Sequence, residues 1–290
     1  MSVASAMSLI VALTTSIIAA SARQSRVPTA QAPGTSLQVR AEPSDLLTHS
    51  PLALCATSTA PVADSPKRVR IATWNIRAAR SAPLDTIAAE LQAMQADIIA
   101  LQEVDVRTRR SGFVDGPAAL AVALSFHYVF AASVKWDAGD YGLAVLSRWP
   151  LAEVRRHRLD ATAAMEPRIV LEVTVCANGR QLRLFNHHAD VRAASRDSGF
   201  LELRRIVQSG VGKGMFVLGD FNEYPDAPGV RSLVDAGLAD LGAERNANTA
   251  HSGRIDYLLA DVPLARLMSN VHVWPTDKSD HNAVMADLEW

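Results

Sequence analysis

Six short apolar runs in this 290-residue chain each end in a carboxylate, carboxamide or imidazole. They are Thr73-Trp74-Asn75-Ile76, Leu101-Gln102-Glu103, Asn186-His187-His188, Gly219-Asp220-Phe221-Asn222, Arg254-Ile255-Asp256-Tyr257 and Ser279-Asp280-His281. A buried strand that delivers one polar residue at its tip is how rigid scaffolds build sites. Six such endings in one chain point to a single convergent site, and the fold must bring them to a common edge.

The segments between the runs specify that fold. Val69 to Ile76 reads as a strand, Leu84 to Gln95 as a helix with Leu84, Ile87, Leu91 and Met94 on one face, and Asp97 to Gln102 as a buried strand. Tyr141–Ser147, Ala152–Leu159, Ile169–Ala177 and Gln181–Asn186 read as strands, and Asn178-Gly179 is a hairpin signal. Helix Phe200–Val207, strand Met215–Gly219, helix Gly229–Ala236, strand Ile255–Leu259 and strand Ala283–Leu288 follow. Strands that mix hairpins with helical crossovers predict two packed sheets with helices outside, not a doubly wound parallel sheet.

The N-terminal residues stand apart. Met7 to Ala20 is apolar apart from Ser and Thr and is followed by Ser21-Ala22-Arg23, the pattern of a secretory signal over residues 1–22. Export to the periplasm or the extracellular space is the expectation, with a membrane anchor as the second reading. Residues 23–67, rich in Pro, Ser, Thr and Ala, read as a linker, and 68–290 as the catalytic domain. Cys55 and Cys176 are read as unpaired, Cys176 as a small buried hydrophobe, although an exported chain could join them. Their spacing argues against a metal site or a thiol nucleophile.

Each ending has its own chemistry. Glu103 at a strand tip would suffer desolvation if buried alone, and a hard divalent cation relieves that cost. Asn75 can coordinate such a cation or orient a neighbouring carboxylate without adding charge. Asp220 and Asn222 lie two residues apart and can face the same way, an acid and an amide able to activate and position a water. Asp256 and His281 are of the types that form an acid–imidazole couple, in which the carboxylate fixes the tautomer and keeps the ring basic.

In this order the blocks resemble the endonuclease/exonuclease/phosphatase superfamily, which includes secreted deoxyribonuclease, abasic-site endonucleases and neutral sphingomyelinases. The resemblance spans about Arg68 to Trp290, and Tyr141-Gly142 through Pro150 is similar to the segment between the family's second and third motifs. It implies an α/β four-layer sandwich and a hydrolase for phosphate esters, phosphodiesters above all, assisted by Mg²⁺ or by Mn²⁺. It further implies Glu103 as principal metal ligand, with Asn75 beside it and Asp280 as a further ligand. His188, not His187, falls on the family histidine that contacts phosphate. Asp220 and Asn222 match the pair that activates water, and His281 held by Asp256 matches the phosphate-facing pair. The catalytic set so implied is His188, Asp220, Asn222, Asp256 and His281.

Arg77 stands where abasic-site endonucleases carry an acid, which argues against a second metal and against that activity. It joins Asn75, His188 and Asn222 as a candidate substrate contact. Arg168 and His251 are assigned to the site rim, and Arg107, Arg109 and Arg110 to a solvated loop. The formal net charge of −1 shows no basic field, so small-molecule or lipid-head-group phosphodiesters are favoured over nucleic acid. The alternatives are an extracellular nuclease and a catalytically silent phosphate-binding protein. No obligate protein partner is implied.

Overall fold

The computed structural model describes residues 44–55, 68–159 and 166–290. The predicted export segment 1–22 and most of the predicted linker lie outside the described residues. Seven strands form the first sheet: β1 (Leu47–His49), β2 (Arg68–Asn75), β3 (Ile98–Val106), β4 (His127–Trp136), β5 (Gly139–Ser147), β12 (Met268–Trp274) and β13 (Ala283–Glu289), in the order β1-β4-β5-β3-β2-β13-β12. Six form the second: β6 (Leu151–Leu159), β7 (Arg168–Ala177), β8 (Arg180–His188), β9 (Met215–Asp220), β10 (Leu238–Asp240) and β11 (Asp256–Asp261), ordered β10-β11-β9-β8-β7-β6. Both sheets are mixed, with β2/β3 and β8/β9 parallel. The helices are α1 (Leu84–Met94), α2 (Gly116–Leu124), α3 (Ala193–Gln208), α4 (Pro228–Asp235) and α5 (Val262–Ala265).

Strand alternation sorts the apolar side chains into three layers of core. Val69, Ile71, Ile98 and Ala100 of the first sheet pack against Leu171, Leu184, Phe216, Leu218 and Leu258 of the second. On the outer face of the first sheet Trp74, Ile99 and Leu101 meet Ile87 and Leu91 of α1 and Leu120 of α2. On the outer face of the second, Phe185, Val217 and Tyr257 meet Phe200 and Leu203 of α3 and Leu233 of α4. The result is the predicted sandwich, sheet on sheet with helices outside. Asn178 and Gly179 both take positive φ, 51° and 76°, as the hairpin signal requires.

Part of the region read as linker belongs to the fold. β1 pairs antiparallel with the edge strand β4 through Leu47↔Ala131, Thr48↔Phe130 and His49↔Val129. Ser44 and Asp45 are held by Asp140 and Arg156, and Ala53 N donates to Leu151 O at 2.8 Å. This path carries the chain from one sheet to the other and ends at a disulfide between Cys55 and Cys176, Cα–Cα 5.3 Å. The unpaired reading of the cysteines is therefore corrected. Only three residues of strand in a Pro-rich stretch left too little periodicity to reveal the arm.

The bond closes a loop with a sequence separation of 121 residues. By loop entropy such a closure stabilises the folded state by about 5 kcal/mol. We expect reduction, or the double substitution of both cysteines by serine, to lower unfolding free energy in urea by roughly that amount; an unchanged midpoint would show that the bond is dispensable.

Candidate functional site

Four strand tips deliver their polar residues to the space between the sheets, because each continues an inner-face register. Asn75 follows Val69, Ile71 and Thr73 on β2; His188 follows Leu184 and Asn186 on β8; Asp220 follows Phe216 and Leu218 on β9; Asp256 precedes Leu258 on β11. Asp220 is the direct cross-strand partner of both His188 and Asp256. Below them Gln102 donates to Asn186 Oδ1 at 2.7 Å and to Thr73 Oγ1 at 3.0 Å, while Asn186 donates to the carbonyls of Leu101 and Ala144. This amide layer separates the apolar core from the charged site above it.

Glu103 reaches the site by another device. Simple alternation would send it to the outer face with Leu101. Between Leu101 and Val104, however, β3 spends one residue more than β5, and Glu103 takes φ 54°. The bulge turns the carboxylate inward, where Asn75 Nδ2 donates to Glu103 Oε1 and to Asp220 Oδ2, both at 3.0 Å. The Asn75 oxygen accepts from Arg77 N at 2.9 Å. Asn75 thus ties the two carboxylates together. Gly219 lets β9 approach β8: its φ is +136°, and a Cβ there would stand 1.9 Å from the His187 carbonyl oxygen.

His281 arrives from the loop before β13. Its Nδ1 lies 2.9 Å from Asp256 Oδ2, its Nε2 lies 3.7 Å from Asp220 Oδ2, and its carbonyl accepts from Trp74 Nε1. Thr249 Oγ1 accepts from the backbone N–H of Asp256. Burial alone would depress the imidazole, but the hydrogen bond and charge of Asp256, with Asp220 and Asp280, outweigh it and raise it to about 9. His281 is an imidazolium at neutral pH. Burial and the charge of Asp256 push Asp220 upward, against the pull of His281 and the Asn75 hydrogen bond.

His188 has the opposite character. Burial, followed by the Arg168 charge, holds it well below its ordinary value. Arg168 Nη1 donates to His188 Nδ1 at 3.1 Å and to Glu166 Oε1 at 3.0 Å. A guanidinium cannot accept, so Nδ1 is bare and the proton sits on Nε2, which lies 3.5 Å from Asp220 Oδ2. Tyr141 nearby is held protonated by burial and by the charge of Glu103.

The remaining predicted residues sit at the margin or act locally. Arg77 pairs with Asp280 at 3.1 Å with both side chains nearly half exposed. Asn222 donates from its backbone to Asp220 Oδ1 and from its side chain to Ala189 O. His187 faces the outer layer against Phe200 and Phe221, with Nδ1 donating to Ile169 O. Arg110 forks onto Asp105 and lies over Trp136, whereas Arg107 and Arg109 remain exposed. Sequence reasoning placed Arg168 only at the rim, yet it contacts His188 directly. An arginine opening an apolar strand that pairs with the histidine strand was the available signal.

Three ligand atoms of Asp220, Asp256 and His281 lie within 4.8 Å of one another, a grouping able to hold a metal ion. Glu103 and Asp280, the acids expected to do so, fall outside that trio. The carboxylates of Glu103, Asp220, Asp256 and Asp280 outnumber the site's cations, His281, Arg77 and Arg168, so the donor set suits a divalent cation.

The family model described as the endonuclease/exonuclease/phosphatase family matches residues 72–281, a span that begins on β2 and ends at His281. The chain belongs to this family. A sequence search of curated proteins gives no match. Among solved structures it is similar to an endonuclease/exonuclease/phosphatase from Beutenbergia cavernae, with 24% identity over 77% of this chain and 71% of that one, TM-score 0.58. It is also similar to an AP endonuclease from Archaeoglobus fulgidus, with 20% identity, 75% and 98% covered, TM-score 0.58. A mannosyl-6-phosphatase from Bacteroides thetaiotaomicron gives 18% identity, 77% and 100% covered, TM-score 0.58. These likenesses establish the endonuclease/exonuclease/phosphatase sandwich, a fold shared by nucleases and phosphatases.

Burial of a neutral histidine has a measurable cost in acid. His187 is pulled down from 6.5 to about 4, chiefly by burial. Between those values the unfolded chain binds a proton that the folded one refuses, so stability present above pH 6.5 is lost as pH falls toward 4. The loss approaches about 3 kcal/mol for this residue. His187→Leu should flatten the unfolding free energy over that interval; an identical slope in both proteins would place the proton uptake elsewhere.

Proposed function

We propose that the protein is a divalent-metal-dependent phosphodiesterase that cleaves its substrate by in-line attack of water. The observation that carries this reading is the convergence of Glu103, Asn75, His188, Asp220, Asp256 and His281 on one inner edge of the sandwich. A silent binding protein would have no need of two oppositely tuned histidines around a buried carboxylate.

Glu103, with Asp280 across the rim, is the acid pair that would hold Mg²⁺ or Mn²⁺, while Asn75 orients Glu103 toward it. The cation supplies charge neutralisation at a phosphoryl oxygen. Asp256 keeps His281 protonated and oriented, so the imidazolium offers a second positive charge to the phosphate. His188 presents Nε2–H as a neutral donor to another oxygen. Asp220, raised by its burial, is suited to accept the proton of the attacking water, and Asn222 fixes the Asp220 carboxylate from the loop beyond it. Asp220 and His281 sit between the proton and the metal roles that the Asp220–Asp256–His281 trio could serve. The Asp256–His281 hydrogen bond favours the proton role.

Small or lipid-linked phosphodiesters lead as substrates because the chain is balanced in charge, 29 basic against 30 acidic residues, and DNA binding rests on a basic surface. Nuclease activity is the second reading, favoured by the exposed arginines 107 and 109 on the loop after Glu103. We further infer export, on the grounds of the leader pattern and the disulfide. A product recovered outside the cytoplasm and lacking residues 1–22 is expected, and cytoplasmic retention of the intact chain would contradict it.

The full protein should hydrolyse bis(p-nitrophenyl) phosphate with Mg²⁺ or Mn²⁺ and lose activity to EDTA. Asp220→Asn and His281→Ala should each lower kcat by about 10² or more, and Glu103→Ala should raise the metal concentration required. Nicking of plasmid DNA in preference to the small diester would install the nuclease reading. Turnover of neither substrate by folded, metal-loaded protein would refute the phosphodiesterase assignment.

A further inference from the structure

Behind the wall that carries His188, three buried polar atoms have no protein partner among the described residues: Arg168 Nε, His187 Nε2 and Asp190 Oδ2. All three residues line one small cavity between the β7–β8 edge and the start of α3, together with Ala189, Ser195 and Gly199. About 10 Å³ of it is open to the centre of a water molecule, the room that one water takes. His187 and Asp190 are 1% and 3% exposed, and the Arg168 side chain 11%.

The chemistry of the three atoms is complementary to a single occupant. Arg168 Nε–H can only donate. Asp190 Oδ2 is a carboxylate oxygen and accepts; the other oxygen already takes the Arg192 N–H at 2.9 Å. His187 Nδ1 faces the Ile169 carbonyl at 3.1 Å and must carry the proton, which leaves Nε2 as a bare acceptor. A water molecule accepts one bond from the guanidinium and donates one to each acceptor, satisfying all three atoms at once. A metal cation would satisfy the two acceptors and oppose the guanidinium. The neighbouring Arg196 is occupied by Glu223 and by the carbonyls of Asp190 and Val191, so it does not compete for Asp190 Oδ2.

We propose that Arg168, His187 and Asp190 form a socket for one structural water, through which Asp190 and His187 act as positioning residues that hold the Arg168 guanidinium against His188. The socket rests on three unpartnered atoms whose residues line one cavity; its service to catalysis rests on the proposed phosphodiesterase reading. Arg168 has two polar ends. Its Nη1 fixes the His188 tautomer and bonds Glu166, while its Nε is anchored from behind by the water. With that anchor removed the guanidinium can swing away from His188 Nδ1, and the ring is no longer restricted to presenting Nε2–H to the site. The arrangement also explains a polar histidine facing the outer aromatic layer, where Leu or Phe would otherwise pack.

Two measurements test this without requiring turnover. A crystal structure at high resolution should show one solvent peak about 2.7–3.2 Å from Arg168 Nε, His187 Nε2 and Asp190 Oδ2. A direct Arg168–Asp190 bond with no solvent peak, or an empty cavity, would overturn the socket. Imidazole ¹⁵N spectra at pH 8 should show His188 as the Nε2–H tautomer. Asp190→Asn keeps an oxygen for the Arg192 N–H but replaces the socket's acceptor by a donor. It should admit the Nδ1–H tautomer, as should Arg168→Ala, and the double variant should resemble Arg168→Ala alone. An unchanged His188 spectrum in Asp190→Asn, or additive effects in the double variant, would refute the positioning role. Should Asp190→Asn fail to fold, His187→Phe removes the other acceptor and is read in the same way. Absence of hydrolysis in the wild type would count against the enzyme reading and leave both results standing.

Discussion

Two carboxylates that face each other across β9 and β11, at the dry inner end of a sheet sandwich, set the terms for everything around them. Asp220 and Asp256 are register partners and each is 1% exposed. Neither could keep its charge there unaided, because a buried anion without a partner is far costlier than any single packing contact. The compensation is visible in every direction. His281 lies between them as a cation, Asn75 donates to one, and His188 offers its Nε2–H. A site built this way holds its donors in place before substrate arrives, which is the condition under which fixed dipoles and charges are most effective.

The same constraint explains why two histidines in one site differ so sharply. His281 is bonded to a carboxylate and stays charged. His188 is bonded to a guanidinium and stays neutral. One fold therefore presents a cation and a neutral hydrogen-bond donor to the same space at the same pH. Burial, with the Arg168 charge behind it, keeps His188 neutral; Arg168 is itself held by Glu166 on one side, and it also lines the small polar cavity behind the wall.

Much of this was legible in the sequence because strand alternation is strict. Ile71 to Asn75, Leu184 to His188 and Leu218 to Asp220 keep one face throughout, so a polar residue in phase with buried neighbours had to emerge between the sheets. The same parity agrees with the choice of His188 over His187, which the family resemblance implied. The rest was hidden for physical reasons. Glu103 is out of phase and reaches the site only through a one-residue bulge, whose location depends on how β3 pairs with β5. Strand β4 and helix α2 are apolar on both sides, His127–Trp136 because it is sandwiched between two cores and Gly116–Leu124 because it is short, so neither shows a clean period. The arm through Cys55 is defined by long-range pairing and a disulfide, neither of which leaves a local pattern. Asp280, beside His281, is exposed at the rim, where it pairs with Arg77, a contact between residues far apart in the sequence that leaves no local pattern.

The site depends on the charge of His281, since the Asp220–Asp256 pair is tolerable only beside a cation. The direct measurement is the ¹⁵N-detected titration of the His281 imidazole in the metal-free protein from pH 5 to 10. An imidazolium that persists through neutrality and releases its proton near pH 9, with Nδ1–H bonded to Asp256, is the predicted result. A ring that titrates at or below 6.5, the ordinary histidine value, would mean that the two carboxylates are not charged together and that the electrostatic basis of the site is wrong.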